Sequence, residues 1–204
     1  YLQKDDALSA IPLLEQLERE AYAKENILFA QSNLMKAYTI TEAYTSSIEY
    51  AKKILTKDKL DEKLRLDAKK TIARSSFLTK ELDVAESYYA EVEEDATGEL
   101  KAEALYYSAY FKNANENYEA STKVVQELIA NYSAYKYWGV KSYVIMAKNY
   151  YSLQDAYQAT FILENVIKNF TQFKDIVEDA QLELDKIKVN EAKTNNSVTP
   201  QNKE

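Results

Sequence analysis

Four positions in this 204-residue chain invite a chemical reading: Lys36, Arg74, Tyr110 and Lys148. They recur at steps of 38, 36 and 38 residues, and three of them are cations in a chain whose formal net charge is −7. A spaced row of cations can hold an acidic segment or a terminal carboxylate, and the planar fork of arginine adds a bidentate grip. Ser32, Thr39, Lys70, Phe77, Tyr106, Asn113 and Tyr151 lie one helical turn from members of that row. The expected partner-binding set is therefore Lys36, Lys70, Arg74, Phe77, Tyr106, Tyr110, Asn113, Lys148 and Tyr151.

Other chemistry is sparse. The chain has no His and no Cys, which removes imidazole bases, thiolate nucleophiles, disulfides and the usual zinc and haem ligands. A helix-bundle di-iron centre needs Glu-x-x-His and has no His to use. The acidic run "EVEEDATGE" lacks the alternating ligands and central glycine of a calcium loop, so it reads as a solvated helix end. Nothing places two of the 33 acids across a cleft for glycoside hydrolysis, and there is no glycine-rich phosphate loop. The acidic balance argues against a nucleic-acid partner. No apolar run reaches the ~18 residues that a membrane span requires. The expectation is a protein with no catalytic residue, no metal and no cofactor, which binds a protein or peptide and does not insert into a membrane.

The elements that position the row come from an internal repeat. "YYSLQDAYQATFILENVI", residues 150–167, echoes "YTITEAYTSSIEYAKKIL", residues 38–55. Small residues mark five centres: Ala10, Ser47, Ala85, Ser121 and Ala159, at steps of 37, 38, 36 and 38 residues. Four after each centre stand Leu14, Ala51, Tyr89, Val125 and Leu163; seven after stand Leu17, Ile54, Val92, Leu128 and Val166. Three before stand Ala7, Tyr44, Leu82, Tyr118 and Ala156. Spacings of 3, 4 and 7 put these residues on one helical face. A second face lies upstream. Met35, Ala73, Ala109 and Ala147 stand twelve before their centres, next to Leu34, Ile72, Ser108 and Met146. A small side chain there lets two helices approach closely. Each unit is thus a helix pair joined by a polar turn. Gly98 and Gly139 fall in or beside the longer breaks, where a left-handed residue can end a helix. With only two Gly and two Pro, few β-turns can be built, which argues against an all-β fold.

This pattern resembles the tetratricopeptide repeat family. Ala73, Ala109 and Ala147 match the family's small residue in the first helix. Ala10, Ala85 and Ala159, with Ser47 and Ser121, match its alanine in the second. Repeats longer than the usual 34 residues, and the missing turn glycine and closing proline, are departures. The resemblance implies an all-α, right-handed α-solenoid of antiparallel helix pairs whose first helices line a concave face. On that reading residues 1–190 are the solenoid. Residues 1–22 are a partial repeat, 23–60, 61–97, 98–134 and 135–172 are full repeats, 174–190 is a capping helix, and 191–204 is a disordered tail. In the cap, Ile176, Val177, Ala180, Leu184 and Ile187 face the fourth repeat while Glu178, Asp179, Glu183 and Asp185 face water. Tyr1 aligns with Tyr38 and Tyr150, so the sequence starts near the end of a first helix, which implies further repeats or a capping segment upstream.

The resemblance is strongest to tetratricopeptide proteins of bacterial cell envelopes. It implies a scaffold on the periplasmic side, with a cytoplasmic scaffold as the alternative. The other functional reading is a structural subunit that self-associates or packs edgewise in a larger assembly. Trp138, at a helix entry, is expected to pack on the preceding repeat. In each of the Tyr pairs 88–89, 106–107 and 150–151, one ring is expected in the core and the other outside.

Overall fold

The computed structural model describes residues 4–198, and within them every regular element is a helix. They are α1 (Lys4–Glu20), α2 (Lys24–Ile40), α3 (Tyr44–Leu55), α4 (Glu62–Leu78), α5 (Leu82–Asp95), α6 (Gly98–Ala114), α7 (Tyr118–Asn131), α8 (Lys136–Ser152), α9 (Ala156–Asn169) and α10 (Lys174–Val198). The helices divide into two compact units, residues 1–96 and 97–204. Within each unit every helix packs on its neighbour in sequence. In unit 1, α2 also packs on α4; in unit 2, α6 packs on α8 and α8 on α10. That nearest-neighbour pattern is a helical-repeat architecture.

The packed rows are those set by the 3–4–7 spacing. Ser47, Ala85, Ser121 and Ala159 are fully buried, as are Ala51, Val125 and Leu163 four residues on. Ile54, Val92, Leu128 and Val166 complete the face. The two serines show how closely the paired helices approach. Ser47 Oγ donates to the carbonyl of Met35 at 3.0 Å, and Ser121 Oγ donates to that of Ala109 at 2.8 Å. A hydroxyl can replace the methyl of alanine here because a backbone acceptor twelve residues upstream satisfies it. The row three before each centre is different. Ala7 is fully buried, whereas Tyr44, Leu82, Tyr118 and Ala156 are the first residues of their helices and none is buried; Leu82 is 39% exposed.

The four hairpin turns share one geometry. Glu42, Lys80, Glu116 and Gln154 have φ values of 62°, 68°, 60° and 67°. In each turn the following amide reaches back five residues: Ala43 to Tyr38, Glu81 to Ser76, Asn117 to Lys112 and Asp155 to Tyr150, at 2.8–2.9 Å. This is the Schellman ending of a helix, built with a non-glycine residue in the left-handed position. The chain's own glycines are used elsewhere. Gly98, at φ +60°, opens α6 instead of ending a helix, and a Cβ there would meet Tyr135 Oη at 3.0 Å. Gly139 lies inside α8.

In unit 1, α1 is tied down by its acids. Tyr38 Oη donates to Glu15 at 2.6 Å and Tyr50 Oη to Glu18 at 2.8 Å, and the two phenol rings stack at 5.6 Å. Burial, then the Glu15 hydrogen bond, pushes the Tyr38 hydroxyl up to about 12. In unit 2, Ile176, Ala180, Leu184 and Ile187 of α10 are buried against Val140, Val144, Ala159 and Leu163. Val177 is only half-buried. α10 runs to Val198, past residue 190 where a capping helix was expected to end; residues 199–204 of the expected tail lie outside the described residues.

Candidate functional site

In unit 1 the spacing of cations along α2 and α4 converges on one cleft. Met35, Lys36, Thr39 and Ile40 form one wall, and Asp67, Lys70, Thr71 and Arg74 form the other, around about 390 Å³. Lys36, Thr39 and Arg74 are exposed. Lys70 is half-buried, and its ammonium donates to Asp67 Oδ1 at 2.6 Å. Two hydroxyls are turned to the backbone: Thr39 Oγ1 donates to Met35 O and Thr71 Oγ1 to Asp67 O, both at 2.8 Å. Three cations and one carboxylate line the cleft. Phe77 is half-buried in the last turn of α4, with the Lys80 ammonium 5.8 Å from its ring centroid, and does not line the cleft.

Unit 2 treats its part of the row differently. Tyr106 was expected at the surface but is buried, 5.1 Å from the Tyr107 ring and 5.5 Å from that of Trp138. Burial pushes its hydroxyl pKa up. It leaves the candidate set because α8 supplies a Trp that packs on it. Tyr110 is half-buried, edge-on to Phe111 at 5.3 Å. Asn113 donates to Asn149 Oδ1 at 2.7 Å; Asn149 is fully buried and itself donates to Ser121 Oγ at 2.9 Å and Thr122 Oγ1 at 3.1 Å. Lys148 pairs with Glu183 at 3.7 Å, and Tyr151 Oη donates to Glu191 at 3.2 Å. Glu183 was expected to face water, yet it is half-buried between Lys148 and Lys186. The row in this unit is thus answered by α10.

Trp138 packs on Tyr106 and Tyr107 of the preceding helix pair, as its place at a helix entry implied. Tyr89 and Tyr106 are the core members of their pairs, whereas Tyr150 and Tyr151 are both half-buried. Two residues escaped the sequence reading. Asp67 faces Lys70 in the cleft, and Lys141 sits 5.2 Å from the Tyr106 ring, 5.3 Å from Tyr137 and 5.8 Å from Trp138. Both lie eighteen residues before their centres, one turn upstream of Lys70 and Val144. Extending the 3–4 spacing by that turn finds them. Tyr137 Oη also donates to Asp175 at 2.8 Å, and burial followed by this bond pushes it up to about 12.

Among the described residues no cluster of three or more Asp or Glu is placed to hold a metal ion, and no helix is long and apolar enough to cross a membrane. The arrangement offers charge, hydrogen-bond donors and aromatic surface. What the fold and the cleft define is a helical-repeat chain with a recess between two first helices, lined by three cations and one carboxylate. No family model, curated protein or solved structure matches the chain.

Proposed function

We propose that the chain is a non-catalytic scaffold, a right-handed solenoid of antiparallel helix pairs similar to tetratricopeptide repeats, that binds an acidic protein or peptide segment through its first helices. The observation that carries this reading is the α2/α4 cleft, where Lys36, Lys70 and Arg74 converge. Binding would draw on several shallow charge-assisted contacts, so affinity falls with salt. Residence in a bacterial cell envelope belongs to the same proposal and is supported by the sequence resemblance alone.

The test is fluorescence anisotropy with a labelled Asp/Glu-rich peptide bearing a free C-terminal carboxylate. Lys36→Glu with Arg74→Glu is expected to weaken binding at least tenfold. Lys148→Glu is expected to change it little, because Glu183 already answers Lys148. Equal binding by all three proteins, or binding unchanged between low and high salt, refutes the assignment. The second reading, a structural subunit, is favoured by the exposed apolar side chains Leu8, Leu13, Tyr22 and Phe29. Light scattering across a hundredfold range of concentration tests it.

A further inference from the structure

The repeat supplies its own control for the outer face of each second helix. The positions two before the centre and two, six and ten after it form one stripe, because steps of four stay on one side of a helix. On α3, α5 and α7 three of the four residues are charged, as with Glu119, Lys123 and Glu127 of α7. On α9 the stripe reads Tyr157, Phe161, Asn165 and Asn169, with no charge. Tyr157 is 75% exposed and Phe161 54%, and their rings stack at 6.4 Å with planes 16° apart. Position in the chain does not account for the openness of this face. Glu119, Lys123, Glu127 and Asn131 are exposed although α8 and α9 follow them, so a following helix pair leaves the stripe open.

A recess of about 260 Å³ adjoins the stripe between α8 and α9. Three aromatic residues, Tyr143, Phe161 and Phe170, line it with two amides, Asn165 and Asn169, and the aliphatic Ile162 and Val166. The Tyr143 and Phe170 rings stack at 6.5 Å. Tyr143 and Ile162 also pack against the cluster that holds Leu105, Val125 and Leu128 of the preceding pair, so the recess borders the interior of the unit. In the α4/α5 pair the corresponding place is filled by an internal ion pair. Lys69, sixteen before its centre as Tyr143 is, reaches Glu91 at 3.2 Å and Asp95 at 2.9 Å, the counterparts of Asn165 and Asn169. The α8/α9 pair has groups with bonding capacity left over instead. Asn165 Nδ2 donates to Phe161 O at 2.7 Å, and Asn169 Nδ2 donates to Asn165 Oδ1 at 3.3 Å. Each amide keeps a second N–H. The Tyr143 hydroxyl makes no hydrogen bond to a described residue.

We infer that this recess, with the adjoining Tyr157–Phe161 pair, binds a neutral oligosaccharide. A charged ligand finds no counter-charge among the lining residues, and burying it there is costly. A wholly apolar ligand covers the amides and the phenol without giving them partners. A sugar ring brings both kinds of surface: C–H groups on its faces for the aromatic rings, and hydroxyls on its edge for the amides. The volume suits one ring and falls below the roughly 300–1,000 Å³ of sites for drug-sized ligands. The exposed Tyr157 ring extends the aromatic surface beyond the recess for the next ring of a chain. A ligand that repeats flat C–H faces and hydroxyls along its length matches that surface better than a peptide backbone does. All of these residues belong to unit 2, and the inference stands whether or not the α2/α4 cleft of unit 1 binds an acidic segment.

The probes are maltohexaose and cellohexaose, two neutral glucose chains of different linkage. Each is titrated into the intact chain and followed by nitrogen–proton NMR, where the side-chain amides of Asn165 and Asn169 report directly. The expected result is saturable binding of at least one of them that moves both amide signals and is unchanged by salt. Tyr157→Ala with Phe161→Ala should weaken it at least tenfold, with circular dichroism confirming an unchanged helix content. Tyr143→Phe keeps the ring and should weaken binding roughly three- to tenfold, the range of one hydrogen bond. Hexagalacturonic acid, a charged chain of similar length, should bind at least tenfold more weakly. No amide shift with either glucose chain at tens of millimolar overturns the inference, as does binding indifferent to the ring variants or equal binding of the charged chain. Shifts of the same amides caused by a neutral apolar decapeptide and by neither sugar assign the recess to a peptide and overturn it. Dimerisation in light scattering that Phe161→Ala abolishes assigns the face to a second copy and overturns it likewise.

Discussion

Replacing each left-handed turn residue by glycine should stabilise the protein, and the structure sets the size of the effect. Glu42, Lys80, Glu116 and Gln154 all hold φ between 60° and 68°. An L-residue in that conformation costs roughly 1–2 kcal/mol, because Cβ crowds the following carbonyl oxygen. Glycine removes the crowding but adds roughly 0.5–1 kcal/mol of unfolded-state entropy. The net gain is about 0.5–1 kcal/mol per site. Glu116→Gly and Gln154→Gly are the cleanest tests, since both residues are exposed and both report on unit 2, where the single Trp gives a fluorescence signal. For a unit of this size such a gain raises Tm by roughly 2–8 °C. Glu42→Gly should gain least, because it also removes the exposed ion pair with Lys4 at 3.2 Å, worth less than ~1 kcal/mol. The sites are far apart in sequence and share no partner, so pairs of variants within a unit should add. Urea melts followed by Trp138 fluorescence and far-ultraviolet circular dichroism measure the change. Glu116→Ala is the control: it keeps a Cβ in the left-handed position and should gain nothing. If alanine stabilises as much as glycine, or if glycine lowers the midpoint at Glu116 and Gln154, backbone strain is not stored in these turns.

Other outcomes follow from the same contacts. Asn149→Ala should cost roughly 2–3 kcal/mol in urea melts, since it removes a fully buried amide that bonds Asn113, Ser121 and Thr122. Trp138→Ala should cost about 2 kcal/mol by stripping the packing from Tyr106 and Tyr107, with most of the loss in the unfolding rate if that contact forms late. Tyr38 carries a pH dependence whose sign is fixed: its folded pKa, about 12, lies above the unfolded value of 10.0. Its contribution is fully present below pH 10 and is lost as pH rises toward 12. Screening of this partly accessible pair keeps the contribution to ~1–2 kcal/mol. Tyr38→Phe should flatten that alkaline fall in stability, and a fall unchanged in the variant would place its cause elsewhere.

The helix pairs were legible because burial in them is periodic and local. A small residue at the centre, and apolar residues four and seven further on, face the preceding helix at every repeat, so one chain carries several independent readings of one contact. The hairpin turns were legible as turns but not in their geometry. Schellman endings are usually read from glycine, and here Glu, Lys, Glu and Gln occupy the left-handed place. The partner-facing row was legible where its register stays polar. Fifteen residues before each centre the chain reads Ser32, Lys70, Tyr106 and Val144. The first two are half-buried and the last two buried, so composition along that row already separates an open face in unit 1 from a packed one in unit 2. Treating the row as uniform put Tyr106 on the wrong side.

α10 shows what kind of group satisfies a first-helix face in this chain. Its carboxylates Asp175, Glu183 and Glu191 meet Tyr137, Lys148 and Tyr151 of α8, all three by hydrogen bond or ion pair along parallel stretches of the two helices. The acids are eight residues apart, so each advances by about 80° and the three stay within one half of the helix circumference. The same chemistry, an acidic helix laid on cations and phenols, is what the α2/α4 cleft would ask of a partner. There the first-helix side chains are Lys36, Lys70 and Arg74, with Asp67 as the one carboxylate among them. α10 therefore supplies a template for the partner's sequence: acids at i, i+8 and i+16 on an amphipathic helix. A peptide of that pattern should bind the cleft more tightly than one of equal charge with its acids at i, i+6 and i+12, because the second set spaces its acids about 120° apart around the helix and cannot present three carboxylates to one half of it. Equal affinities for the two would mean that net charge alone steers the contact and that the α8/α10 arrangement is no guide to it.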